Sequence, residues 1–250
     1  MQPHAMIRLV FILLLVILAI LALSWTHVLP GGWFLRDLIE DPAARALRLQ
    51  AEHHQERLNE FQSEDEIVGK LDHPFVFLGS STIERFPLKT NFPGMQVVNR
   101  GIGGESTEEC LARLDKTLPL KVWSKVKGVV LYSGSINLRR GDSVPLTADR
   151  VRMLISSIQE LVPKAPILLL GILPGRGNKS RSSGDALSAF NEGLSVLAEA
   201  MGIKFLPLAK SPLIDKDGRL VTEMSADDWH LNDAGYKVVA SWLKKAAQGF

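Results

Sequence analysis

From residue 74 onward the chain alternates short apolar runs with longer helical patterns, and this alternation leaves few folds open. The runs are 75–78, 95–99, 128–132, 167–171 and 204–208. Short apolar runs set between turn residues read as strands buried on both faces. Residues 106–116, 145–161, 185–201 and 232–247 carry the helical patterns. Strands alternating with helices predict a parallel sheet whose connections are right-handed crossovers. The expected fold is α/β: a three-layer α/β/α, doubly wound, flavodoxin-like sheet of five parallel strands. Sites in such sheets form at the carboxyl ends of the strands. Ser80-Ser81 follows the first strand, 101–104 the second and 134–137 the third, and His230 lies in the loop before the last helix.

The N-terminus carries a different signal. Residues 9–23 are an unbroken apolar run, preceded by Arg8 and followed by Ser24-Trp25. A bilayer span needs about 20 apolar residues, and 6–25 reaches that length if Arg8 snorkels. A cleaved signal peptide would need a small-x-small site, and Ala19 and Ala22 are spaced wrongly for one. The expectation is an uncleaved single-pass anchor in the cell inner membrane. Arg8 sets its amino end in the cytoplasm, so the remaining chain is periplasmic. Arg36, beyond the span, counts against that orientation. Pro30-Gly31-Gly32 breaks the helix. Residues 41–61 then read as a charged, solvated helix packed loosely on the domain.

Composition excludes several classes. With 29 basic and 27 acidic residues the net charge is +2, which is no footprint for nucleic acid. The single cysteine, Cys110, allows no intrachain disulfide and reads as a small core residue. Adjacent His53-His54 point to different helix faces, and no metal-ligand spacing follows, so no metal site is expected. Asn99-Arg100-Gly101-Ile102-Gly103-Gly104 lacks dinucleotide spacing, and Gly177-Asn178-Lys179-Ser180 is an imperfect phosphate loop that reads as surface. No cofactor is implied.

Phe77-Leu78-Gly79-Ser80-Ser81-Thr82-Ile83 places a serine on a Gly turn after an apolar run, and Asp227-Asp228-Trp229-His230-Leu231-Asn232 places a carboxylate three residues before a histidine. Singly, each also reads as a helix cap. Together they supply a nucleophile, a base and an orienting acid, the parts an acyl-transfer site needs. Of the other histidines, His73 before the first strand is the one rival base.

These blocks resemble the SGNH, or GDSL-type, hydrolase superfamily over roughly 75–247. Gly79-Ser80-Ser81 matches its first motif, with Ser80 where Asp is usual. Asp227, His230 and Asn232 match its last, followed by Gly235-Tyr236. The Gly-x-Ser-x-Gly elbow of α/β-hydrolases is absent. The resemblance implies Ser81 as nucleophile, His230 as base, Asp227 as orienting acid and Gly104 as an oxyanion amide. It divides the chain into an anchor (1–29), a linker with the charged helix (30–73) and a hydrolase domain (74–250). The third block departs. In the pattern Gly-x-Asn-Asp an Asn is the side-chain oxyanion donor, and with Gly134 aligned, Ile136 takes its place and Asn137 the next. Either Asn137 shifts to serve, or the hole has two backbone donors, from Ser81 and Gly104. The implied activity is hydrolysis of a lipid or O-acylated carbohydrate ester. The alternatives are a weak or inactive protein that binds such a ligand, and acyl transfer to another alcohol.

Overall fold

The computed structural model describes residues 3–25, 40–176 and 184–247. His27, Pro30-Gly31-Gly32, Arg36 and Gly177-Asn178-Lys179-Ser180 lie outside them. The chain forms two compact units, Met1–His53 and His54–Phe250.

In the first unit, helix α1 (Pro3–Trp25) exposes apolar side chains on all sides, from Ile7 to Leu23. The membrane span expected here is not obtained. Among the described residues no helix is long and apolar enough to cross a membrane.

Helix α2 (Pro42–Val68) begins in this unit and ends in the second. Its second half corrects the loosely packed helix expected from its charge. Leu58, Phe61 and Val68 are buried. The Phe61 ring lies under three guanidinium groups, with Arg100 at 4.6 Å, Arg57 at 5.0 Å and Arg113 at 5.5 Å. A charged sequence packs tightly here because its charges have partners: Glu64 binds Arg100 at 2.6 Å, and His54 Nε2 lies 3.1 Å from Glu105.

The second unit holds one parallel sheet of β1 (Phe75–Gly79), β2 (Val97–Gly101), β3 (Gly128–Tyr132), β4 (Ile167–Leu170) and β5 (Lys204–Leu206), in the order β2-β1-β3-β4-β5. This is the doubly wound flavodoxin-like order. The central strands β1, β3 and β4 are buried throughout, whereas the edge strands β2 and β5 are only partly so. Strand β2 starts two residues later than expected and runs to Gly101, because Met95 is exposed in the preceding turn and the ladder continues until Gly79 pairs with Gly101.

The crossovers are short helices α3 (Ser81–Glu84) and α4 (Leu88–Asn91) after β1, then α5 (Thr107–Ala112), α6 (Leu114–Thr117) and α7 (Leu120–Trp123) after β2. Helices α8 (Ser135–Arg140) and α9 (Val144–Leu161) follow β3, α10 (Asp185–Ala200) follows β4, and α11 (Asp233–Ala247) closes the chain. The single helix expected over 106–116 is two, with α5 fixed at its start by a capping box between Ser106 and Glu109. Helix α9 packs against both α5 and α10, while α11 packs with α4. Cys110 is buried, which pushes its thiol up to about 12.

Candidate active site

The site begins with a steric constraint at the end of β1. Gly79 has φ +147°, and a Cβ there would stand 2.2 Å from the carbonyl oxygen of Tyr132 on the neighbouring strand. Only glycine lets the chain turn so close to β3. The turn releases Ser80 in extended conformation and starts α3 at Ser81. As the first residue of a helix, Ser81 has a backbone N–H without an intrahelical acceptor.

The other wall comes from the far end of the chain. Asp227 Oδ1 accepts the backbone N–H of Trp229 at 2.8 Å and of His230 at 2.9 Å. That local turn brings the His230 imidazole over the carboxylate, with Nδ1 2.7 Å from Asp227 Oδ2. Its other nitrogen, Nε2, lies 3.0 Å from Ser81 Oγ. The structure therefore brings Ser81, His230 and Asp227 into one hydrogen-bonded line. Such a line can move a proton from the hydroxyl to the ring while the carboxylate holds the tautomer. The rival base His73 is elsewhere, its Nδ1 2.7 Å from the exposed Asp72.

Burial tends to raise the Asp227 carboxyl, but the hydrogen bonds from the His230 ring and the two backbone N–H groups win and hold it down at about 2. This has a consequence for stability. A depressed carboxyl contributes stability that is fully present above its unfolded value, near 4, and is lost as pH falls through about 2. The melting-temperature difference between the wild type and Asp227→Asn should thus be constant from pH 7 to about 4 and shrink below it. A difference that already shrinks between pH 7 and 5 would contradict this.

Gly104 is placed by the same ladder. Ile102 N–H donates to Gly79 O at 2.9 Å, so residues 102–104 leave the sheet beside the Ser80-Ser81 turn. Gly104 has φ +74°. The loop is held on several sides. Asn99 accepts Gly101 N–H at 2.9 Å and donates to Ile83 O at 2.7 Å. Glu84 accepts Gly103 N–H, and Arg140 donates to Gly104 O at 3.1 Å.

Asn137 is not brought to this centre as an amide donor, which corrects that branch of the third-block reading. It is 1% exposed and all its hydrogen-bonding positions are filled. Oδ1 accepts from Thr107 N and Thr107 Oγ1, both at 2.9 Å, and Nδ2 donates to Glu108 at 2.6 Å and Asp142 at 3.0 Å. Its amide ties α8 to α5, and no N–H is left for an oxyanion. The neighbouring Ile136 is buried, and Ser135 Oγ lies 3.4 Å from Ser80 Oγ.

Two buried tyrosines tie loops at this edge, and one of them, Tyr236, holds the nucleophile helix. Tyr236 OH donates to Thr82 O at 3.0 Å, and Tyr132 OH accepts Leu173 N–H at 3.2 Å. Burial pushes both phenols up. The sequence reading missed Glu84, Asn99 and the arginines around this edge. Only Asn99 carried a signal, as a polar residue inside an apolar strand. Among the described residues no cluster of His, Cys, Asp or Glu could hold a metal ion.

A five-stranded doubly wound sheet with a Ser-His-Asp line at its carboxyl edge is a hydrolase architecture, and comparison with known proteins gives the family. The model of the GDSL-like lipase/acylhydrolase family matches residues 82–238, and the chain belongs to that family, within the SGNH/GDSL superfamily of ester hydrolases. The chain is 27% identical over 173 residues to the platelet-activating factor acetylhydrolase IB subunit alpha1 of Bos taurus, covering 67% of this chain and 72% of that protein. It superposes with TM-score 0.74 and 25% identity on a Streptococcus pneumonia structure assigned as a platelet activating factor, covering 83% of this chain and 99% of the other. A GDSL-like lipase from Bacteroides thetaiotaomicron shares the fold, with TM-score 0.61, 19% identity and coverage of 76% and 97%.

Proposed function

We propose that the protein is a serine esterase that cleaves a carboxylic ester through an acyl-enzyme. The observation that carries this is the contact of 3.0 Å between Ser81 Oγ and His230 Nε2, on a ring whose other nitrogen is held by Asp227. His230 takes the Ser81 proton as Oγ attacks the carbonyl carbon. The amides of Ser81 and Gly104 receive the oxyanion. His230 then gives its proton to the leaving alkoxide. Water, deprotonated by His230, attacks the acyl-enzyme and releases the acid. The test is fluorophosphonate labelling of the full chain in detergent, with peptide mapping. One adduct on Ser81 is expected. An adduct on Ser80, or none on a folded protein, overturns the assignment.

Substrate and place are part of the same proposal. The acetylhydrolase relative and the lipase/acylhydrolase family favour a lipid ester, with an O-acylated carbohydrate ester as the other candidate. Helix α1, apolar on every described face, favours attachment at the inner membrane, since such a helix belongs in a core or in lipid. Arg8 before it favours a hydrolase unit outside the cytoplasm. Protease digestion of spheroplasts tests this. Protection of the C-terminal unit would place it inside.

A second reading, a binding protein on this scaffold, rests on the third block. Ile136 offers no hydrogen bond, and Asn137 is saturated. A missing oxyanion donor lowers turnover by about a hundred- to a thousandfold. On the esterase reading, Ile136→Asn should raise kcat about tenfold, because the new amide must be aimed by surroundings fitted to Ile. Asn137→Ala should leave kcat per folded molecule within about threefold. It should lower the melting temperature, because unsatisfied buried groups cost about 1–3 kcal/mol each. A collapse of kcat in Asn137→Ala with an unchanged melting temperature would return Asn137 to the hole.

A further inference from the structure

Four arginines are attached to the elements that build this centre. Arg85 follows α3 and reaches Asp227 Oδ2 at 3.5 Å. Arg140 ends α8 and holds Gly104 O, with Glu109 at 3.3 Å. Arg176 follows β4 and meets Asp228 at 3.3 Å. Arg139 is exposed, and its guanidinium lies over the Trp229 indole, 4.7 Å from the ring centroid. Three carboxylates answer the first three cations, and one of them, Asp227, is already engaged with His230. The nearby Glu84 and Glu108 face Arg57 and Arg150 instead. Among the described residues Arg139 has no carboxylate partner. Four cations thus meet three carboxylates, and Arg139 is the unmatched one.

The place of this charge is chemically informative. Trp229 immediately precedes His230 in the chain, and His230 is the group that protonates the leaving alkoxide. We place the alcohol half of the ester on the side of Trp229 and the guanidinium lying over it. A guanidinium over an aromatic face keeps N–H groups for oxyanions, which it can bind in pairs. Resting on the esterase reading, we infer that the preferred substrate is an ester of an anionic alcohol, one bearing a phosphate or carboxylate that Arg139 receives. The chemistry balances as ordinary hydrolysis: the ester C–O bond breaks, the alcohol takes the proton from His230 Nε2, and water supplies the hydroxyl of the acid. The anion takes no part in bond making. It orients the alcohol and raises the encounter rate.

The test compares kcat/KM for three acetyl esters of similar size by acetate release from the full chain in detergent. These are 1-acetylglycerol, its 3-phosphate, and 3-O-acetylglycerate. At low ionic strength at least one anionic ester should exceed the neutral one about tenfold or more, and the advantage should shrink with salt. The phosphate and carboxylate arms separate the two anions. Arg139→Gln should cut the anionic-to-neutral ratio at least about fivefold, and Arg139→Lys should restore part of it. Arg152→Gln, on α9 and paired with Asp149, should keep the wild-type ratio. A ratio near one, or a ratio that survives Arg139→Gln, overturns the anion site while leaving the esterase intact. If no ester is hydrolysed, the esterase reading fails separately, and calorimetric titration with glycerol 3-phosphate decides the site. Binding that Arg139→Gln removes keeps it, and absence of binding overturns it.

Discussion

Ser81→Ala and His230→Ala should each lower kcat on an ester by a factor on the order of 10^4 to 10^6, and the double variant should be no slower than either single one. The reason is that the two side chains act as one unit. Without the hydroxyl, the ring has no proton to take, and without the ring the hydroxyl remains a poor nucleophile. Asp227→Asn should cost less, on the order of 10^4, because it leaves both reacting groups in place but favours the wrong tautomer. Ser80→Ala should stay within about threefold, since Ser80 Oγ meets Ser135 rather than the imidazole. Melting temperatures need measuring alongside, as the Asp227 carboxylate also ties down the backbone of Trp229 and His230. Losses that multiply in the double variant would mean that Ser81 and His230 act independently, and the assigned relay would fall.

The sheet is legible in the sequence because a parallel strand buried on both faces has one signature, an unbroken apolar run. β3 is read to the residue for that reason. The edge strand β2 is read less well, since only one of its sides is covered and its last residues, Arg100 and Gly101, are neither apolar nor strand formers. The Ser81, Asp227 and His230 arrangement is legible as a set because all three fall in loops that the alternation assigns to one edge. Asn137 shows where such reading stops. Its type suits an amide donor one residue out of register, but the direction of a side chain at a helix start depends on what α5 offers, and Thr107 offers a backbone N–H and a hydroxyl. The second half of α2 misleads for a related reason. Charge predicts solvation only when no complementary charge is available, and Glu105, Arg113 and Arg100 lie far away in the chain. The rim arginines leave no pattern at all, being spread over residues 85–176.

Glu105→Ala should be the most damaging single change to stability. Glu105 and Arg113 are 4% and 2% exposed and bind through both carboxylate oxygens, Oε1 to Nε and Oε2 to Nη2 at 2.6 Å. Arg113 also donates to Thr117 Oγ1 and Arg100 O, each at 2.9 Å. Removing the carboxylate leaves a guanidinium buried without its counter-charge, which costs about 3–5 kcal/mol. That is a large part of a typical total of 5–15 kcal/mol. In a unit of this size it corresponds to a fall of roughly 6–20 °C in melting temperature. The penalty comes from the unmatched charge rather than from the value of the pair, so Glu105→Leu combined with Arg113→Met should recover most of the loss. Activity should not follow stability in that double variant. Glu105 is the residue after Gly104, and its bonds to Arg113 and His54 fix the end of the loop that offers the Gly104 amide. A refolded apolar pair would still leave that amide less well aimed, with kcat reduced and KM little changed. Denaturant unfolding of the two single variants and the double one measures the coupling directly. Additive losses would mean that the pair is not an interacting unit. A fully active double variant would mean that the loop is aimed from its other side alone, by Glu84, Asn99 and Arg140.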